Sequence, residues 1–356
     1  MGIQHLNAYF RKYASAKSIK KIGLNELAGK KVVIDTSIYL YRFMSEGALL
    51  ENMYSMIAIF QQNNITPIFV FDGIAPIEKA PLLEKRGQDK NVAEQEYNRI
   101  KDELANTDYN DNKYSELCCD MITLKKQFIR IKRSDVTAVK RLITAFGLSY
   151  IEAEGEADAL CAKMVIKKYA YACLSEDMDM FIYGCPRVLR YFSLLNETVI
   201  IYYLDQILTE LAVTFNEFKE ICIISGTDYS NATSGYSNAT SGYSQKTKDA
   251  DLVISNQTTK SKNKTKTKIN ITINLFNTFE YFKQYKSEKL DGLNFYEWLE
   301  ANTDCIANIY QLYSIYNLFG TDNVNLKKIK IDTNAKKINI KEIKEIMIPE
   351  GFIFLQ

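Results

Sequence analysis

Three short runs rich in β-branched and aromatic residues lead into an aspartate: Asp35 after KVVI, Asp72 after PIFVF and Asp177 after YACLSE. Asp179 lies two residues beyond Asp177, and in an extended segment that spacing puts both on one face. Glu156 and Asp158 open a helical pattern, where the macrodipole tolerates negative charge, and Asp228 stands in SGTDY after another helix. A single aspartate after a strand is usually a turn former or a cap. Three strands delivering carboxylates to one edge is more than composition requires, because ligand sites in parallel α/β sheets form outside the carboxyl ends of the strands. Seven carboxylates sharing that edge repel one another unless cations neutralise them. Converging hard oxygen donors imply Mg²⁺, with Mn²⁺ able to substitute, and two ions rather than one. Two such ions about 4 Å apart activate water and stabilise the leaving oxygen in phosphodiester cleavage. A phosphatase-type reading of Asp177 and Asp179 needs a second aspartate just after Asp35, which Asp35-Thr36-Ser37 does not supply.

Other chemistries are excluded by what the chain lacks. His5 is its one imidazole, and it sits in the N-terminal segment with no partner in view. The 7 cysteines show no CxxC spacing. Zinc sites and histidine-based nucleophilic triads therefore have no ligands to use, and the cysteines read as reduced, mostly buried thiols of an intracellular protein. The 356 residues are 47% hydrophobic and 25% charged, the balance of one large globular domain or two coupled ones. No apolar run approaches the roughly 18 residues needed to span a bilayer. MGIQHLNAYF lacks the succession of a secretory signal, and Leu6 stands where a myristoylation pattern wants Ser or Thr. The net charge of +2 says nothing about partners until its distribution is known.

The carboxylates need elements to position them. Strand patterns at 31–35, 67–72, 171–177, 187–192 and 198–204 alternate with helical patterns at 53–64, 137–147, 156–168 and 215–225. That rhythm predicts an α/β layer fold around a twisted, mostly parallel sheet flanked by helices. Residues 78–133 are long, polar and without strand signal, and read as a helical insertion. The seven residues YSNATSG occur twice in succession from Tyr229, and every second residue from Lys260 to Lys268 is lysine. Residues 229–268 thus read as a low-complexity, disordered insertion and solvated tether. Helical patterns resume from 269 to 356.

At this point the chain resembles the flap endonuclease family of the structure-specific 5′-nuclease superfamily, the XPG/Rad2-like proteins. MGIQHL resembles the family's opening, KVVIDTSIYLYRF its first-aspartate motif and ITPIFVFDG its second. GEADALCA followed by SEDMDMFIYGCPRVLRY resembles the internal nuclease motif, and CIISGTDYS the motif carrying the last aspartate. The resemblance covers residues 1–229 and implies a PIN-like 5′-nuclease fold with a helical cap. It also implies a nuclease core over 1–228, a gateway and cap at 78–133, and a divergent duplex-binding part at 269–356. It assigns Asp35, Asp72, Glu156 and Asp158 to one metal and Asp177, Asp179 and Asp228 to the other, with Asp158 in a position to serve both. Lys79 and Arg86 match the two basic residues used at the scissile phosphate, where a cation stabilises developing charge. Tyr41 matches an aromatic that stacks on a base, and Gly2 a residue that lets the N-terminus approach DNA. Without the resemblance, Lys79 and Arg86 read as a solvated helix face and Tyr41 as a core tyrosine. Lys125, Lys126, Arg130, Lys132 and Arg133 form a basic cluster suited to flap phosphates.

Departures from the family pattern accompany the matches. No Gly-rich hairpin follows SGTDY, which leaves duplex binding by that element in question. Asp158 stands where flap endonucleases usually have Glu, as in the exonuclease branch. EIMIPEGFIFLQ carries no sliding-clamp peptide. The expected protein is a monomeric, magnesium-dependent 5′ nuclease. It cuts DNA flaps near single-/double-strand junctions in replication and repair, in nucleus or cytoplasm. The alternatives are a 5′→3′ exonuclease on the same scaffold or a catalytically silent scaffold. The abundance of Asn, Ile, Lys and Tyr points to an AT-rich coding genome, viral or protist.

Overall fold

The computed structural model describes residues 2–105, 112–229, 273–288, 292–306, 308–326 and 337–354. In chain order the elements are α1 (Leu6–Tyr13), β1 (Ile19–Gly23), β2 (Lys31–Asp35), α2 (Thr36–Ser45), α3 (Leu49–Gln62), β3 (Thr66–Phe71), α4 (Ala80–Ala105), α5 (Asn112–Lys125), α6 (Arg133–Ala145) and β4 (Tyr150–Glu152). They continue with α7 (Ala157–Ile166), β5 (Ala172–Leu174), α8 (Asp179–Ile182), β6 (Arg187–Ser193), β7 (Thr198–Tyr203), α9 (Leu204–Glu210) and α10 (Phe215–Ser225). The last are α11 (Leu275–Glu288), α12 (Phe295–Asn302), α13 (Ile309–Leu318) and α14 (Ile340–Met347).

Among the described residues the strands form one seven-stranded sheet in the order β1-β7-β6-β5-β2-β3-β4. The run from β6 to β4 is parallel, and β7 pairs antiparallel with β6 and β1. The expected α/β layer fold is therefore present, with an antiparallel margin. After the exposed Lys31, Val32 to Asp35 are all buried because side chains alternate between two covered faces. Val33, Val70 and Cys173 join the core beneath α1, α7 and α10 to α13. Val32, Ile34, Phe69 and Leu174 join the core beneath α2, α3, α6 and α14.

Two strands escaped the sequence reading. β1 carries two lysines and lies at the sheet margin, so its apolar alternation is weak; β4 is three residues long with one buried side chain. The insertion at 78–133 contains the helices α4 and α5, packed on one another. Of the low-complexity stretch, Tyr229 is buried and packs edge-on against Phe319 at 5.2 Å, while 230–268 lie outside the described residues. After 273 the chain packs back onto the core rather than standing apart. Tyr9 stacks on Phe279 at 4.1 Å. Lys219 Nζ donates to the Phe319 carbonyl (3.1 Å) and Lys163 Nζ to that of Thr321 (2.6 Å), fastening the end of α13 to α10 and α7. No helix among the described residues is long and apolar enough to cross a membrane.

Candidate active site

Because β2, β3 and β5 run parallel and adjacent, their C-terminal ends open on one edge, and the carboxylates gather there. Asp35 closes β2, is buried, and accepts a hydrogen bond from Ser175 Oγ at 3.0 Å. Asp72 follows β3. Gly73 beside it admits no side chain, since a Cβ would stand 2.0 Å from the Ala153 carbonyl oxygen. That close approach brings Asp72 Oδ1 within 2.8 Å of the Ala157 N–H, one of the unpaired donors at the α7 N-terminus. Glu156 and Asp158 flank this turn, and Asp228 follows α10.

Asp177 and Asp179 depart from the extended pairing expected of them. The loop after β5 turns at once, and Asp179 is the first residue of α8, its N–H bonded to Asp177 Oδ1 at 3.0 Å. Both still face the cluster, because the turn replaces alternation as the device that aims them. Gly2, with φ +75°, packs directly against them.

The cluster is electrostatically costly. Burial, then the charges of Asp72 and Asp177, push the Asp35 carboxyl up to about 8, although its Ser175 hydrogen bond opposes this. Burial also raises Asp158 well above the carboxylate range, followed by Asp35, Asp177, Asp179 and Asp72. Asp179 is raised by burial and then by Asp177 and Asp228, and Asp177 chiefly by burial. All seven predicted carboxylates thus act on one another.

Two cations reach in. Lys79 Nζ lies 2.5 Å from Glu156 Oε1, and Arg86 Nη2 lies 2.9 Å from Asp228 Oδ2. Burial alone would lower the Lys79 ammonium, but Glu156, Asp158 and Asp228 outweigh it and leave it raised. Lys79 is buried and Arg86 partly so, which removes the solvated-face reading for both. Tyr41 is 44% exposed on α2, with Lys90 Nζ of α4 over its ring at 4.9 Å; the core tyrosine of that helix is Tyr39. Lys125, Lys126, Arg130, Lys132 and Arg133 are exposed around the α5–α6 connection. Arg130 is held by Glu94 and Asn91 of α4, so part of this basic patch is already neutralised.

The donor set fits hard divalent cations. Asp158 Oδ1 and Asp179 Oδ1 are shut off from solvent without a hydrogen-bond partner, a state that a bound cation would relieve. Among the described residues no three His, Cys, Asp or Glu donors stand close enough to hold a metal as they are placed. Lys79 and Arg86 occupy Glu156 and Asp228 instead. A cleft of about 550 Å³ between α6, β4 and α14 lies apart from this edge, and its cations are already paired: Lys140 with Glu152 and Arg141 with Glu342, both at 2.6 Å.

The sequence reading missed two supports of the site. Tyr229 donates from its hydroxyl to Glu156 Oε2 at 2.5 Å and lies under Lys79 Nζ, 5.0 Å from its ring centroid. Ser175 is fully buried, donates to Asp35 and accepts the Asp177 N–H at 3.1 Å. Both lie within two residues of a motif aspartate in sequence, which was the available signal.

Family models for the XPG N-terminal domain and the XPG I-region match residues 1–93 and 147–228. Flap endonuclease 1 of Encephalitozoon cuniculi is 32% identical over 252 residues, covering 66% of this chain and 69% of that protein. The chain belongs to the XPG/Rad2-like flap endonuclease family. Flap endonuclease 1 of Lodderomyces elongisporus is 30% identical over 257 residues, 66% of this chain and 63% of that protein. The chain therefore spans just under two thirds of several of these relatives' length. The catalytic core of Rad2 in complex with DNA substrate superposes with a TM-score of 0.61 at 16% identity, covering 97% of this chain and 95% of that one. Flap endonuclease-1 from Methanococcus jannaschii gives 0.55 at 20% identity, covering 95% and 92%. At these identities the structural likeness establishes the 5′-nuclease fold.

Proposed function

We propose that this flap endonuclease homologue is a magnesium-dependent, structure-specific 5′ nuclease that hydrolyses a DNA phosphodiester near a single-/double-strand junction and leaves a 5′-phosphate. The observation that carries the proposal is the gathering of seven mutually repelling carboxylates at one sheet edge, with Lys79 and Arg86 reaching into them. Such a cluster is retained against its own repulsion only where cations use it, which argues against a silent scaffold.

Asp35, Asp72, Glu156 and Asp158 would hold one Mg²⁺, and Asp177, Asp179 and Asp228 a second, with Mn²⁺ able to replace either. When bound, the ions would supply an activated water and stabilisation of the charge that develops in phosphodiester hydrolysis. Lys79 and Arg86 serve as counter-ions to Glu156 and Asp228 until a phosphate arrives, then turn their donors to its oxygens. Tyr229 holds Glu156 from its other oxygen while Lys79 moves. Tyr41, exposed beside Lys90, offers a base a stacking face with a cation above it. The helices over 78–133 form the gateway, and their basic residues follow the backbone of a free 5′ end or flap. In this reading residues 1–228 are the nuclease core, 229–268 a tether, and 269–356 a divergent duplex-binding part. The protein acts as a monomer on DNA.

One observation favours a second reading: Asp158 takes the shorter acidic form of the exonuclease branch, so 5′→3′ end resection is the alternative. The test is cleavage of a labelled 5′-flap duplex with and without Mg²⁺, beside Asp177→Ala. Magnesium-dependent incision at the junction, lost in the variant, supports the proposal. Mononucleotide release from a recessed 5′ end with little flap incision moves the protein to the exonuclease branch. Binding without cleavage of either substrate refutes both.

A further inference from the structure

Beside the carboxylate loop lies a buried arginine that the nuclease reading leaves without a role. Arg190 is 6% exposed in the middle of β6. Its Nη2 donates to the Glu176 carbonyl at 2.9 Å and its Nη1 to Asn7 Oδ1 at 3.0 Å. Its Nε has no hydrogen-bond partner and lies 3.6 Å from Glu176 Oε2. The next residue, Tyr191, has φ +55° and stands in a register break between Arg190 and Ser193. The break frees the Tyr191 N–H from the ladder, and it bonds Glu176 Oε1 at 2.6 Å. Two consecutive residues of β6 thus grip both the backbone and the carboxylate of Glu176. A positive φ on a tyrosine is held only where the surroundings over-determine it.

Glu176 separates Ser175 from Asp177, so whatever fixes Glu176 fixes the loop that carries Asp177 and Asp179. The same guanidinium reaches the N-terminal segment, because Asn7 Oδ1 accepts from Tyr202 OH (2.9 Å) as well as from Arg190. That segment also brings Gly2 against Asp177 and Asp179. We infer that Arg190 is a positioning residue. It joins the Ser175–Asp179 loop to the N-terminal segment and sets the spacing of Asp177 and Asp179, and with it the affinity of the metal site they form. The inference rests on the two-metal reading of the cluster. It requires arginine specifically, since the planar fork serves two acceptors in fixed directions while its charge faces the Glu176 carboxylate, and an ammonium serves one point.

The test is Arg190→Lys together with Glu176→Ala, the second chosen because Glu176 is partly exposed and its loss spares the core. Mn²⁺ binding without DNA is read by electron paramagnetic resonance, alongside thermal unfolding, kcat and KM on a 5′-flap duplex. Supports of metal ligands typically contribute about 10–100-fold to affinity or activity. Arg190→Lys should weaken Mn²⁺ binding about tenfold and lower kcat by about 10–100-fold with KM within about threefold. Glu176→Ala should weaken Mn²⁺ binding by several-fold. Wild-type Mn²⁺ affinity in Glu176→Ala, or in a folded Arg190→Lys, overturns the inference, as does a loss confined to unfolding temperature and KM. Should Arg190→Lys fail to fold, the Glu176→Ala affinity decides alone. Failure of the wild-type protein itself to bind Mn²⁺ or cut DNA would instead overturn the proposed function.

Discussion

Replacing Gly2 by alanine adds one methyl group where the structure leaves no room for it. The Cβ would stand 2.4 Å from Asp177 Oδ1, 2.5 Å from Asp179 Oδ1 and 2.9 Å from the Asp179 N–H nitrogen. Comfortable contact begins near 3.4 Å, so the loop or the N-terminal segment must yield by about 1 Å. The oxygen met first is the one that accepts the Asp179 N–H, so yielding disturbs the turn that aims both carboxylates. A misplacement of that size costs about 10²-fold in rate. The backbone adds its own penalty, since φ +75° costs alanine about 1–2 kcal/mol. Gly29 separates the two effects: its φ is +72° with nothing within 4 Å of its Cβ. Single-turnover cleavage of a 5′-flap duplex at saturating enzyme, with thermal unfolding alongside, measures both. Gly2→Ala should cut about 10²-fold more slowly and Gly29→Ala at the wild-type rate, while both lose about 1–2 kcal/mol of stability. A Gly2→Ala rate within threefold of wild type would refute the crowding argument.

Three further outcomes follow from the same geometry. Asp35→Asn should abolish cleavage yet stabilise the protein in EDTA at pH 7.5. The folded carboxyl is pushed up to about 8 from an ordinary value of 3.8, so this group's contribution to stability is full below about pH 4 and is lost as pH rises to about 8. The shift sets a limit on the order of 5 kcal/mol shared among the interacting carboxylates, and a variant melting below wild type in EDTA would show the sign to be wrong. Lys79→Met frees Glu156 from its counter-ion, so Mn²⁺ binding without DNA should tighten while cleavage falls about 10²-fold; weaker binding would mean that the lysine holds the carboxylate in place instead. Tyr41→Ala should leave the unfolding temperature within about 2 °C, as surface substitutions do, and weaken flap binding in Ca²⁺ by about 1–3 kcal/mol, measured by fluorescence anisotropy. Unchanged affinity would remove the stacking role.

The sequence alone determined which carboxylates would meet. A buried strand announces itself by its apolar run, its end by a polar residue, and parallel strands present their ends on one edge, so Asp35, Asp72 and Asp177 were legible. Helical periodicity also sufficed for α10 at 215–225, and in the structure Thr214 and Glu217 cap its start. Wherever the deciding neighbour lies far along the chain, periodicity was silent. Tyr39 and Tyr41 sit two residues apart on one helix, and only packing against Phe192 and the approach of Lys90 made one core and the other exposed. Lys79 and Arg86 read as helix surface until their partners, 77 and 142 residues away, were brought alongside. Asp179 was aimed by a turn rather than by strand alternation, because β5 ends at Leu174. Arg190 lies in the middle of a strand, where nothing local distinguishes a surface arginine from a buried clamp. That distinction depends on Glu176 and Asn7, which sheet order and the packing of α1 bring to it. Local propensity sets where strands end; long-range pairing sets what stands beside those ends, and the chemistry of this edge depends on both.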